Sequence, residues 1–366
     1  TVANSANATL TGDSYDATGE NSGDLIDTSS ASHTDSDADA SSSLSITHIK
    51  LSSGSNSTVA SSSSYNSNGT SITGTYGTLT IGADGSYTYA ATTDATDALD
   101  SGESASDTFV YTLSDGTAIT TANLTITVLG SNDAPVAQND VGVIAEDSTL
   151  TVSDGADANE TGGSYNATGE HSGDVIDSSN TSTRDTDVDI ETLTVTAIRL
   201  GSSEGSGTAG TVGSALTGTY GQLTLNSNGS YSYVANQTAA DALDAGDSVT
   251  DSFNYTVSDG TATDTAVITI TVLGINDTPT AQNDVGVIVE DGTLTVANGA
   301  NATLSGSYDA TGENSGDLMD TSSSSHKDSD ADDSASLSIT QIKKNGGSNS
   351  AVASGSSYNS SGTSVT

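Results

Sequence analysis

The chain has 366 residues, enough for two or three domains, and carries 48 acidic residues against six Lys and Arg, a formal net charge of −42. That charge excludes nucleic acid and anionic membrane as electrostatic partners and makes cations the natural counter-species. Cysteine is absent, which excludes disulfides and thiolate metal sites, and no apolar run reaches the roughly 18 residues that membrane insertion needs.

Aspartate outnumbers glutamate 39 to 9. A helical acidic surface would favour Glu, whereas Asp suits turns, caps and oxygen-ligand sites. Part of this acidity reads as plain solvated surface. The chain starts at Thr1 without a signal peptide and so reads as a piece of something longer.

In chain order, SYDATGENSGDLID (14–27) comes first, then the alternating acids Asp35, Asp37 and Asp39, then a strand beginning at Leu44 and Ile46. Serine-rich 52–73 reads as a long mobile loop or a weak edge hairpin. Leu79 and Ile81, then Tyr87 and Tyr89, flank Asp84-Gly85 and predict a β-hairpin. ATDALDSGES (95–104) hints at a helical turn. Phe109, Tyr111 and Leu113 mark the next strand, Asp115-Gly116 a turn, and Leu124, Ile126 and Val128 a last strand with Thr on its other face. The phrase GSNDAPVAQND (130–140) follows and holds Pro135, one of only two prolines.

Everything then repeats. SYNATGEHSGDVID (164–177) and SYDATGENSGDLMD (307–320) echo the first motif, 164–177 at a shift of 150 residues. GTYGTLTIGADGSYTYA (74–90) returns at 218–234, and SDTFVYTLSDGTA (106–118) at 250–262. ADALDAGDSV (240–249) repeats the helical hint, and GINDTPTAQND (274–284) carries the second proline, Pro279, 144 residues after the first. Such a period is too long for a solenoid repeat and suits an array of whole domains. The expected domains are 1–131, lacking its first strand, 132–275, complete with the linker at its start, and 276–366, cut halfway, with 345–366 as serine-rich as 52–73. Many short strands joined by Gly, Asn and Asp turns predict an all-β protein of antiparallel sandwiches with small, Tyr-rich cores.

Four acidic or amide clusters recur once per unit. They are Asp100 to Glu103 and Asp244 to Asp247; Asp115 and Asp259; Asn132-Asp133 and Asn276-Asp277; and the runs Asp35/Asp37/Asp39, Asp185/Asp187/Asp189 and Asp328/Asp330/Asp332. Alternating carboxylates on one face of a strand repel, but in a loop they can converge on one cation. Ca²⁺ accepts six to eight oxygens in loose geometry and fits such a set better than Mg²⁺. The runs are not EF-hands: the sixth position is Ala40, Ile190 or Asp333 rather than Gly, and the twelfth is Ile46, Thr196 or Ile339 rather than Glu. The prolines stiffen an extended linker, beside which Asn-Asp can supply oxygens; the bland alternative is a linker with a turn-forming Asn-Asp.

The order L-D-x-G-E/D, F-x-Y-T-x-S-D-G, N-D-x-P and D-x-D resembles cadherin-type tandem repeats. TYGxLTxxxxGSYxY…DxFxYTxSDGTA…TITVLGxNDxP is similar, more closely, to the VCBS-repeat domains of large type I-secreted, RTX-type bacterial adhesins, over nearly all of both complete units. The resemblance implies cadherin-like or Ig-like sandwiches in an elongated array, with Ca²⁺ held where consecutive domains meet. Carried over, the first junction draws on Asp100, Glu103, Asn132, Asp133, Asp185, Asp187, Asp189 and Asp259. The second draws on Glu146, Asp244, Asp247, Asn276, Asp277, Asp328, Asp330 and Asp332. Asp35, Asp37, Asp39 and Asp115 face a preceding domain. LDSGE and LDAGD are one residue longer than the cadherin acidic triplet.

Histidine chemistry does not recur: His33 and His326 share a position filled by Thr183 in the second copy, His48 is matched by Ala197 and Gln341, and His171 by Asn21 and Asn314. Sequons such as Asn7 and Asn166 are what any Ser/Thr-rich chain produces. The sequence thus predicts a non-enzymatic, extracellular, calcium-stiffened extender of a bacterial cell-surface adhesin. Its partners would be neighbouring repeats, further copies of itself or extracellular polysaccharide. The alternatives are a subunit of an extracellular filament or sheath, and a carbohydrate-binding module.

Overall fold

The computed structural model describes every residue except 10–17, 27–32, 40–42, 177–180, 190–191, 305–310, 320–324, 333–334 and 358–361. Ala40, Ile190 and Asp333, used above to exclude an EF-hand, lie outside the described residues. The chain divides into two compact units. Unit 1 is Thr1–Val136, Thr186–Leu193 and Ser258–Asp264; unit 2 is Ala137–Asp185, Thr194–Val257 and Thr265–Thr366.

Unit 1 is built from β1 (Ser45–Leu51), β2 (Ser57–Thr58), β3 (Thr70–Thr73), β4 (Thr78–Ile81), β5 (Tyr87–Ala90), a single helical turn α1 (Asp94–Asp97), β6 (Ser104–Ser114) and β7 (Ile119–Leu129). Two sheets form, in the orders β2-β1-β6-β7 and β3-β4-β5. Alternation decides their faces. Phe109, Tyr111 and Leu113 of β6 turn inward and meet Leu79, Ile81 and Tyr87 of the other sheet in one core with Ile46 and Ile49. The Thr face of β7 stays exposed. The predicted hairpin closes in the expected register, with Ile81 opposite Tyr87 and Leu79 opposite Tyr89. The helical turn falls slightly earlier than the sequence suggested. In the serine-rich stretch, Ser63 is buried and ordered, accepting from Ala83 N–H at 3.0 Å and donating to the Ala60 carbonyl at 2.6 Å.

Unit 2 repeats the plan with two additions. Its strands are β8 (Asp140–Ala145), β9 (Thr149–Val152), β10 (Thr194–Leu200), β11 (Leu216–Thr217), β12 (Gln222–Leu225), β13 (Tyr231–Val234), β14 (Ser248–Ser258) and β15 (Thr263–Leu273), with the turn α2 at Thr238–Asp241. The sheets run β10-β14-β15-β8 and β11-β12-β13-β9. Tyr231, Tyr233, Phe253 and Tyr255 are fully enclosed between them. β8 pairs with β15 in parallel, Ile268 opposite Asp140 through Leu273 opposite Ala145, where the sequence predicted only antiparallel neighbours. The pair is parallel because β8, entering straight from the proline linker, lies beside the last strand of its own repeat. Beyond it, among the described residues, come only the two-residue strands β16 (Gln341–Ile342) and β17 (Ser350–Ala351).

Several acids are internal staples. Asp107 accepts N–H bonds from Thr75 (2.9 Å) and Tyr76 (3.1 Å) and the Tyr89 hydroxyl (2.7 Å). Asp174 closes the E-x-S-G-D loop by accepting from Gly155 N–H (2.5 Å) and Ile176 N–H (2.8 Å), as Asp24 does from Ser5 (2.5 Å) and Ile26 (2.6 Å). Glu170, in the same loop, takes Thr161 N–H at 2.7 Å, Asn166 at 2.6 Å and Ala167 at 2.8 Å as well as the Thr161 hydroxyl. With the Thr161 hydroxyl as the largest cause, its pKa falls to about 2.

Candidate metal centres

In unit 1 the linker runs tightly over the Asp100–Glu103 turn. Gly130 N–H donates to the Glu103 carbonyl at 2.9 Å, and a Cβ on Gly130 would sit 2.2 Å from the Asp100 carbonyl oxygen. Only glycine allows that approach. Downstream, Asp133 N–H donates to Asp189 Oδ2 at 2.7 Å, and the Asn132 amide donates to Asp259 Oδ2 at 3.0 Å. Asp189 N–H in turn donates to Asp187 Oδ1 at 3.0 Å. Linker, D-x-D run and hairpin tip are thereby tied together.

The charges do not cancel. Asp100 Oδ1, Asp187 Oδ2 and Asp189 Oδ1 are sealed from water with no hydrogen-bond donor. Asp100 is pushed above its ordinary value by desolvation, then by Glu103, Asp189 and Asp187. Asp259 goes the other way: burial opposes its charge, but the N–H groups of Thr261 (2.5 Å) and Ala262 (2.6 Å) and the Asn132 amide outweigh it.

Unit 2 holds a second gathering. Glu146 is fully buried at the end of β8; its Oε1 accepts Ile275 N–H at 2.5 Å, and its Oε2 has no donor. Asp277 N–H donates to Asp332 Oδ2 at 3.1 Å, while Asp332 Oδ1 is sealed and unsatisfied. Asp332 N–H donates to Asp330 Oδ1 at 3.2 Å, and Asp244 N–H to Asp247 Oδ2 at 3.3 Å. Glu146 is raised by burial and then by Asp277, Asp147 and Asp332; Asp277 is raised by burial and then by Asp332, Asp147, Asp241 and Asp330.

Three expected ligands are engaged otherwise. Asp185 accepts Gln138 N–H at 2.7 Å and lies 3.3 Å from the Tyr255 hydroxyl, which also reaches Asp140 at 2.8 Å. Asp328 repeats the first of these bonds, with Gln282 N–H at 2.7 Å. Asp35 takes the Tyr111 hydroxyl at 3.0 Å. The first acid of each D-x-D run therefore fixes backbone or core, and in the second and third runs Asp187, Asp189 and Asp332 each keep an oxygen that is sealed without a donor. In the first copy, Asp37 accepts Asp39 N–H at 2.7 Å, and Asp115 caps its own turn through Thr117 and Ala118, both at 2.6 Å.

The sequence reading passed over Asp97, which lines one shallow depression with Asp133 and Asp187, and over Asp147 and Asp241, whose fields act on Asp277. Signals existed: the first Asp of DALD recurs as Asp97 and Asp241, and the Glu-Asp pair as Glu146-Asp147 and Glu290-Asp291. Among the described residues, no group of three or more His, Asp or Glu side chains is arranged to hold an ion. Carboxylate oxygens without donors are nevertheless the donor set Ca²⁺ takes, and the residues fit it chemically. Among the described residues, no helix is long and apolar enough to cross a membrane.

Residues 132–274 match the sequence profile of the family described as Bacterial cadherin-like domain. That stretch is accordingly a cadherin-like β-sandwich, and unit 1 carries the same two-sheet plan. No curated protein matches the chain. Similar solved structures include human CDH23 EC21-23, at 13% identity over 71% of this chain and 70% of that one, TM-score 0.28. The extracellular domain of Protocadherin GammaB4 shows 11% identity over 64% of this chain and 30% of that one, TM-score 0.28. The endo-fucoidan hydrolase MfFcnA4, of glycoside hydrolase family 107, shows 18% identity over 56% of this chain, TM-score 0.20. The chain spans 23–27% of the length of the hydrolase structures it matches. These overlays carry no residue roles.

Proposed function

We propose that the chain is a run of extracellular cadherin-like repeats that binds Ca²⁺ at the two acidic gatherings and serves as a non-enzymatic extender of a bacterial surface adhesin. One observation carries the reading: five carboxylate oxygens, on Asp100, Asp187 and Asp189 in unit 1 and on Glu146 and Asp332 in unit 2, are sealed from water without a donor. Each such oxygen costs about 1–3 kcal/mol or more, because ionised groups lose strong hydration. A divalent cation with oxygen ligands removes that cost. The cation would be held in unit 1 by Asp100, Asp187, Asp189 and Asp133, and in unit 2 by Glu146, Asp277, Asp330 and Asp332. Extracellular modules hold Ca²⁺ at about 0.1–1 mM, so millimolar calcium adds about 1–2 kcal/mol per site.

The test is calorimetric titration of the chelated protein with Ca²⁺, paired with small-angle scattering before and after chelation. Binding at both gatherings, with a scattering profile that stiffens when calcium is added, supports the extender. No heat and an unchanged profile would overturn the calcium reading of both gatherings.

A further inference from the structure

We propose that His171 is an acid-sensitive latch: when its ring takes up a proton, the loop 159–174 lets go of β8 in this repeat, while the matching turns of the other two copies, built on asparagine, do not respond. Calcium plays no part in it.

The His171 side chain is buried, with 9% of the residue exposed. Its Nδ1 accepts Gly173 N–H at 3.2 Å, so that nitrogen carries no proton and the ring is neutral, with its proton on Nε2. Asn21 and Asn314 do the same work with an amide oxygen. Each accepts the glycine N–H two residues on, from Gly23 and Gly316, at 2.9 Å. Gly173, Gly23 and Gly316 all have positive φ, at 114°, 92° and 106°, so one kind of turn is closed three times by one kind of bond. Only the acceptor differs. An amide oxygen keeps its lone pairs in mild acid, whereas an imidazole protonated at Nδ1 sets N–H against N–H and the bond is lost.

What this turn holds down is the cover of β8. His171 bridges Gly142 on that strand and Asn159 on its other side. Val143 N–H donates to the Glu170 carbonyl at 2.8 Å, Gly169 N–H to the Val143 carbonyl at 2.7 Å and Ser172 N–H to the Val141 carbonyl at 2.9 Å. The charged groups on the surrounding elements are Asp140 on β8, Glu170 and Asp174 in the loop, Asp157 and Glu160 on the passing segment, and Arg184 and Asp185 beyond it. Asp140 accepts the Ser172 and Tyr255 hydroxyls, Glu170 the N–H groups of Thr161, Asn166 and Ala167, Asp174 those of Gly155 and Ile176, and Asp185 that of Gln138. Asp157, Glu160 and Arg184 are exposed. Burial lowers the pKa of the ring below the ordinary 6.5. A base lowered on folding lends stability that is whole above 6.5 and drains as the pH falls from there toward the folded value. Releasing the loop leaves the backbone of Val141 and Val143 bare, an open strand edge made by acid.

Amide hydrogen exchange on the whole chain in chelator, at about pH 7.5 and about pH 5.5, tests this. Protection of the Val143, Ser172 and Gly173 amides, corrected for the intrinsic pH dependence of exchange, is expected to fall in the parent by up to about tenfold per pH unit below the ordinary value. In His171→Asn it should hold, since that residue closes the same turn in the two sibling copies. His171→Ala removes the acceptor and should show the low protection at both pH values. A second measurement follows the ring by NMR, its signal identified by its absence in His171→Asn, and should find it titrating below 6.5. A ring that titrates at 6.5 or above overturns the latch. So does an equal loss of protection in the parent and His171→Asn, or full protection in His171→Ala at neutral pH.

Discussion

Tyr233 donates its hydroxyl proton to Asp251 Oδ2 at 2.6 Å, and the same carboxylate receives the N–H groups of Thr219 at 2.8 Å and Tyr220 at 2.9 Å. One acid on β14 thus fastens the G-T-Y-G turn and the Tyr hairpin, and Asp107 with Tyr89 repeats the device in unit 1. A hydrogen bond to a charged group is worth about 1.5–3 kcal/mol. Tyr233→Phe is expected to cost about that much in urea denaturation, and Asp251→Ala more, because it also strands backbone donors. An unchanged midpoint in Tyr233→Phe would refute the anchoring role.

Acid should loosen the same device in unit 1. Burial works to raise Asp107, but the Tyr89 hydroxyl and the N–H groups of Thr75, Tyr76 and Gly77 outweigh it and hold its pKa below 3.8. A folded-state pKa below the unfolded one means stability that is present above 3.8 and lost as the pH falls through the folded value. Chemical denaturation between about pH 2 and 5 should show this loss, and Asp107→Asn should lack that portion of it. Equal pH slopes in the two proteins would remove Asp107 from the account.

Calcium dependence separates the D-x-D acids by position. In chelator, Asp189→Asn should leave thermal stability unchanged or slightly raised, since it removes one of several crowded carboxylates. In millimolar calcium it should forfeit about 1–2 kcal/mol of the added stability. Asp328→Ala should lower stability in both conditions, because it leaves Gln282 N–H without the acceptor it now has, whereas in Asp189→Asn the amide oxygen can still accept Asp133 N–H. Identical calcium-induced shifts in Asp189→Asn and the parent would take Asp189 out of the ligand set.

Close approach predicts a contrast between glycines. A Cβ on Gly221 would stand 2.4 Å from Tyr233 Cζ and from the Val234 carbonyl oxygen, whereas on Gly54 it would meet nothing nearer than 3.4 Å. Gly221→Ala should cost about 1–3 kcal/mol through displaced core atoms, and Gly54→Ala about 0.5 kcal/mol or less. Comparable melting temperatures for the two would contradict the packing of the Tyr233 ring.

The hairpins were legible because Leu79, Ile81, Tyr87 and Tyr89 alternate around Asp84-Gly85, a pattern with one structural solution. The parallel strand was not: DVGVIA is a short apolar run whose periodicity carries no direction, and its neighbour is fixed by the closing of the sheet. Among the acids, composition could not sort ligand from staple. Asp107, Asp174 and Asp185 look like the others in sequence, and only the N–H groups gathered around them reveal that their charge serves the fold. The shortage of donors at Asp187, Asp189 and Asp332 is likewise a property of three dimensions.

The parallel pairing of β8 with β15 also sets a timetable. Asp140 enters the chain early in its repeat and finds its partner, Ile268, only near the end. Contacts so distant must meet the loop-closure cost before they return any stability. A repeat synthesised N-terminus first cannot complete this sandwich until its last strand has been made. Glu146 N–H bonds to the Leu273 carbonyl at 3.0 Å, so the carboxylate at the end of β8 is set in place at that same late step. Each repeat would stay open while it is made and close on its final strand.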